Sequence, residues 1–310
     1  MVALALTAVL TVGVAGCSKP GGMPSLAEAD AAVREIQDAY PGIDELSDDE
    51  STAEADESTA EAEVSSEADP DAAAADAGAE SDSAPESSPE PGAESDPDTA
   101  EDPSENGTTV VLDDESRLSK PVPAADAAAW DAVVGTVPGD VLDAVTEVRF
   151  FTDGAGGDLA AVEPTGASDG GWRMLLDTTD SDPDDPEFIR TIVHEAFHIV
   201  TLGDSAFTAA SKRSCPTLYV DEGCFAEDAV LFDFWSRFWS PQATADPEFV
   251  NSYAETDVVE DASESFTQFV LSQSRDMSAP KVAMFAERPE LVNLRARFAE
   301  NIRANLPGKG

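Results

Sequence analysis

The chain has 310 residues and carries 64 acidic against 17 basic side chains, a formal net charge of -47 at pH 7. A surface that negative repels phosphate backbones, so nucleic acid is excluded as an expected partner. The acidic residues are unevenly spread, and that unevenness divides the chain.

Residues 1–16 are almost wholly apolar and run into Val14-Ala15-Gly16-Cys17. The run is too short to cross a bilayer as a mature helix. It resembles a bacterial lipoprotein signal peptide, in which small residues precede a cysteine that is lipidated and becomes the new N-terminus. The resemblance implies lipidation at Cys17, membrane contact only through that anchor, and a place on the extracellular face of a bacterial cell membrane. The basic n-region is missing, so a start codon upstream of Met1 is expected. An ordinary secretory signal with an incidental Cys17 is the competing reading.

Residues 17–40 form an N-terminal segment. Leu26, Val33, Ile36 and Tyr40 are loosely periodic and fit a short helix over 25–40. Beyond it the composition changes sharply. No Lys or Arg occurs between Arg34 and Arg117, and residues 41–116 hold 27 of the 64 acidic residues. Ala, Ser, Glu, Asp, Pro and Gly cannot bury enough apolar surface to offset chain entropy. Residues 41–117 therefore read as a disordered acidic tether, on the order of 50 Å long as a flexible coil, that lifts a domain off the membrane.

Residues 118–310 are one domain's worth of chain. A short helix is expected over 124–134 around Trp130. Strands are expected at 145–152, 159–162 and 172–177, separated by the glycine-rich turns 154–157 and 166–171. Next comes a helix with Asp185 as N-cap and Pro186 in the first helical position. Ile189, Ile192, Val193, Ala196 and Val200 form its apolar stripe, and Gly203 its stop. Further helices are expected over 225–239, 260–271 and 291–306, the last with Arg295, Arg297 and Arg303 facing outward. A sheet followed by helices gives an α+β fold. With Cys17 taken by lipid, Cys215 and Cys224 are left to pair as a disulfide in an oxidising compartment.

The chain's two histidines both fall in the Asp185 helix, in His194-Glu195-Ala196-Phe197-His198. This is HExxH. Positions i and i+4 share a helix face, so both imidazoles reach one metal ion and Glu195 projects into the same site as a base for water. A catalytic zinc needs three protein ligands. With no third histidine, the third is a carboxylate or else a cysteine, and two carboxylates stand out: Glu222, and Glu260 in a run that also fits a capping box, Asp257-x-x-Glu260. The residues alone leave these open, and Tyr253 alone reads as an amphipathic surface tyrosine.

The HExxH helix followed by Tyr253 and then Glu260-x-x-x-Glu264-x-Phe266 resembles the metalloprotease domain of anthrax lethal factor and its relatives. There a tyrosine precedes the ligand glutamate by seven residues, a second glutamate follows it by four, and a phenylalanine lies two beyond. The resemblance covers residues 145–275. It implies a zincin-like fold of the gluzincin type, with one Zn2+ held by His194, His198 and Glu260. Glu195 is then the general base, Tyr253 a donor to the developing oxyanion, and Glu264 the group that orients a ligand histidine. The expected activity is that of a zinc-dependent metalloendopeptidase, a monomer acting on a protein or peptide substrate. The competing readings are a catalytically inactive zincin-fold surface binding protein, and a cation-binding surface protein acting through the acidic tract.

Overall fold

The computed structural model describes residues 24–45 and 107–306, apart from 153, 155–156, 167–169, 221–222 and 244–247. Cys17, Glu222 and the tether residues 46–106 lie outside the described residues.

The first element is helix α1 (Leu26–Ala39), started by a capping box between Ser25 and Glu28. Its Val33 and Ile36 are fully buried. They pack against the last helix of the chain, α8 (Pro289–Ala304). At Gly42 the backbone takes φ +88°, a conformation open to glycine, and this turn delivers Ile43 into the core.

Strand β1 (Thr108–Val111) then joins the edge of a four-stranded sheet. The other strands are β2 (Val145–Phe151), β3 (Ala160–Pro164) and β4 (Trp172–Asp177), in the order β1-β2-β4-β3. β2 and β4 run parallel, and the outer strands are antiparallel to their neighbours. The register pairs Val148 with Met174 and Phe150 with Leu176, which puts four buried side chains on one face. Among the described residues β3 is the open edge opposite β1.

Helices α2 (Ala124–Thr136) and α3 (Gly139–Leu142) lie between β1 and β2 in the chain. Helix α4 (Pro186–Thr201) carries the histidines, and its Asp185 cap accepts from the Glu187 N–H at 2.9 Å. A small antiparallel sheet follows, with β5 (Phe207–Thr208), β6 (Tyr219–Val220) and β7 (Gly223–Phe225) in the order β5-β7-β6. A disulfide ties Cys224 of β7 to Cys215, which lies between β5 and β6 in the chain. Helices α5 (Val230–Phe238), α6 (Val258–Leu271), α7 (Pro280–Phe285) and α8 complete the α+β fold. Phe197 of α4 stacks on Phe266 of α6 with ring centroids 3.9 Å apart, and Phe285 and Phe298 close round that pair.

Three expectations need correction. The helix expected from 225 begins at Val230, because Phe225 is drawn into β7 against Phe207. Arg295 does not face outward but is fully buried. Its guanidinium donates to the carbonyls of Phe269, Ser272 and Leu26 and to Asp30, which offsets the cost of burying the charge. The folded unit also begins before residue 118. Residues 24–45 and 107–117 belong to it, so the acidic stretch connects two parts of one unit. Among the described residues no helix is long and apolar enough to cross a membrane.

Candidate metal centre

The site forms where α4 meets α6. His194 and His198 lie one turn apart on α4, and both are buried. Their Nε2 atoms are 2.9 Å apart. Glu260, in the first turn of α6, brings Oε2 to 2.9 Å from Nε2 of His194 and 3.4 Å from Nε2 of His198. Three donor atoms with these spacings lie on a circle of radius about 1.8 Å, so one ion at zinc-like bond lengths of roughly 2.0–2.2 Å reaches all three.

The far sides of both rings are occupied. Glu264 Oε1 lies 2.6 Å from Nδ1 of His194, and Ser263 Oγ lies 3.2 Å from Nδ1 of His198. The Nε2 atoms are thereby turned towards each other, and nitrogens that close need a proton or a cation between them. The carboxylates around them favour positive charge there, carried by either one. Burial pulls the His194 pKa down, but hydrogen bonds to Glu260 and Glu264 override it and push it up to about 10. Burial also works against the Glu260 carboxylate, yet the two imidazoles hold it well below the usual carboxylate range, so it stays an anionic donor. The residues present therefore fit a divalent metal ion with two nitrogen donors and one oxygen donor.

Glu195 also offers a carboxylate within 4.8 Å of both histidine donors, and His194, Glu195 and His198 form a buried group able to hold a metal ion. Glu260 makes the closer approach to both rings, and Glu195 lies beside it. The Glu195 carboxylate is buried, makes no hydrogen bond among the described residues and faces a cleft of about 520 Å³. Burial raises its pKa, against the opposing pull of the two histidines.

That cleft runs between the open edge strand β3 and the start of α6. Ala160, Val162, Leu202 and Val220 form apolar walls, with Glu195, His198 and Glu260 at its metal end. Tyr253 lines it too. It sits in a 3-10 turn, Tyr253–Glu255, with its ring 5.8 Å from that of His194 and 54 % of its surface exposed. Burial of the hydroxyl end, reinforced by Glu260 and Glu195, raises the phenol pKa, so the group is a proton-bearing donor at neutral pH.

Local sequence explains this assembly. Asp257 caps α6 through the N–H groups of Val259 and Glu260. Its side chain satisfies the helix start by itself, and the Glu260 carboxylate is free to turn to the histidines instead of closing a capping box. Of the residues expected at the site, His194, Glu195, His198, Tyr253, Glu260 and Glu264 come together. Glu222 and Cys17 fall outside the described residues. Three partners were not expected: Ser263 behind His198, and Asn251 and Arg190, which both reach Oε2 of Glu264. Isolated polar residues of this kind carry no spacing signal. No protein-family model, curated protein or solved structure matches the chain.

Proposed function

We propose that the protein is a zinc-dependent metallopeptidase of the gluzincin type with a zincin-like fold, hydrolysing peptide bonds in a protein or peptide substrate. The observation that carries this reading is the convergence of His194 Nε2, His198 Nε2 and Glu260 Oε2 on one point, with the unpartnered Glu195 carboxylate on the cleft side of it. A bound zinc ion supplies Lewis acidity, polarising a carbonyl and lowering the pKa of water towards about 7.

The chain's own residues do the rest. His194, His198 and Glu260 bind the ion, and Glu264 and Ser263 orient the rings. Glu195 accepts a proton from the attacking water on its carboxylate and passes it to the leaving amine. The Tyr253 hydroxyl donates a hydrogen bond to the substrate carbonyl oxygen as that oxygen gains negative charge. β3 borders the cleft as an open sheet edge, which suits an extended peptide that pairs its backbone with the strand. In the same reading Cys17 carries the lipid that keeps a monomeric enzyme on the outer face of the cell membrane.

The test is zinc stoichiometry of the purified chain together with turnover of a broad peptide library. We expect one zinc per chain and cleavage. Glu195→Gln keeps the metal and loses about 10²- to 10⁴-fold in kcat. Glu260→Ala loses most of the metal. One zinc without cleavage of any peptide overturns the peptidase reading in favour of a binding protein.

A further inference from the structure

Tyr253 poses a positioning problem. A donor to a developing oxyanion has to be fixed to within a fraction of an ångström. Yet Tyr253 stands in a short exposed turn outside the two helices that hold the metal donors. The ring makes no hydrogen bond among the described residues that would locate it.

The turn itself is tied down by one side chain. Asn251 Nδ2 donates to Glu264 Oε2 at 2.8 Å, and Asn251 Oδ1 accepts from the Ala254 N–H at 2.9 Å. Chemistry settles which way round the amide lies. A carboxylate only accepts, so it faces the NH2, and a backbone N–H only donates, so it faces the carbonyl oxygen. The other oxygen of Glu264 holds His194 Nδ1. Ala254, the residue after Tyr253, is fully buried. A continuous path therefore runs from the His194 ring through Glu264 and the Asn251 amide to the backbone next to Tyr253.

We propose that Asn251 is a positioning residue, whose side-chain amide ties the Tyr253 turn to the carboxylate that orients His194 and so sets the distance between the tyrosine hydroxyl and the metal donors. The kinetic part of this proposal rests on the peptidase reading above. The structural part does not. Asn is the suitable residue because the link needs a donor at one end and an acceptor at the other. Asp would still accept from Ala254 but would set one carboxylate against another at Glu264.

Two measurements on the full-length, zinc-loaded chain test it. Hydrogen exchange followed by mass spectrometry reads the turn without any turnover. In Asn251→Ala, peptides covering 252–256 exchange about tenfold faster while those of α4 and the body of α6 do not change. The second is a double-mutant cycle with Tyr253→Phe. In the parent background Asn251→Ala lowers kcat by about 10- to 100-fold with KM changed less than about threefold, and in the Tyr253→Phe background the same substitution costs less than about threefold. Asn251→Asp, which keeps the bond to Ala254, shows the same kcat loss. Unchanged exchange at 252–256, equal losses in both backgrounds, or an Asn251→Asp chain with parental kcat overturns the proposal. A parent chain with no turnover overturns the peptidase reading, and the exchange measurement still decides the link.

Discussion

Oε1 of Glu264 lies 2.6 Å from Nδ1 of His194, on the side of the ring opposite Nε2. A carboxylate in that place fixes the tautomer and raises the basicity of the ligand nitrogen. Glu264→Gln keeps an acceptor without the charge, and Glu264→Ala removes both. Zinc affinity is expected to fall about 10- to 100-fold in Glu264→Ala and less in Glu264→Gln, measured by competition with a chromogenic chelator. Equal affinity in parent and Ala variant rules out this role.

Asp30 is the acid-sensitive point of the α1 dock. Burial tends to raise its pKa, but hydrogen bonds from Ser274 and the Arg295 charge lower it below the ordinary value. A carboxyl whose folded pKa is depressed stabilises the fold above its unfolded pKa and loses that contribution as pH falls through the folded value. Stability should therefore decline as pH drops below about 4, and Asp30→Asn should flatten that decline at a fixed cost near neutral pH. Urea midpoints between pH 3 and 7 for the two chains are the check.

Lys281 and Asp261 form a buried pair at 2.7 Å, a charge contact without a well-directed hydrogen bond from Nζ. Burial pushes the ammonium pKa down and the carboxyl pKa up, each opposed by the other charge. Trp239 Nε1 donates to the same carboxylate, and the Phe249 ring faces the ammonium at 3.8 Å. Lys281→Met strands Asp261 and should cost about 3–5 kcal/mol of stability. Adding Asp261→Asn should recover most of it, since Trp239 keeps its acceptor. Denaturant unfolding of the three chains decides, and a single variant as stable as the parent contradicts the account.

The Cys215–Cys224 bond closes a span of nine residues. Constraint of the unfolded chain on that scale is worth about 2–3 kcal/mol. Replacing both cysteines by serine should lower stability by about that amount and leave zinc stoichiometry at one, because the proposed metal donors sit on α4 and α6. Loss of the metal in that variant would tie the small sheet to the site.

The site was largely legible because its chemistry is local. His194 with His198, and Glu260 with Glu264, are i,i+4 pairs, and a helix puts such pairs on one face wherever it packs. Asp257-x-x-Glu260 reads as a cap or a ligand, and the structure makes Asp257 the cap and brings the Glu260 carboxylate to Nε2 of His194. Arg295 was misread because a charged residue on an amphipathic helix is usually solvated. Its burial depends on carbonyls of Leu26 and Phe269, which sequence spacing does not bring near. The docking of α1 was missed for the same reason, as its partner α8 lies at the other end of the chain. The small sheet was missed because strands of two or three residues leave no period to read.

Since α1 and β1 belong to one folded unit, residues 46–106 are an insertion in the sequence of that unit. The covalent link from Cys17 to Leu26 is then only residues 18–25, at most about 30 Å even when fully stretched. A lipid on Cys17 would hold α1 close against the bilayer. The insertion, for its part, must close a loop of roughly 60 residues for α1 to dock, and closure entropy grows only logarithmically with length. Its length and charge can therefore vary widely at little cost to the fold, which frees it to answer to the chemistry of the surroundings.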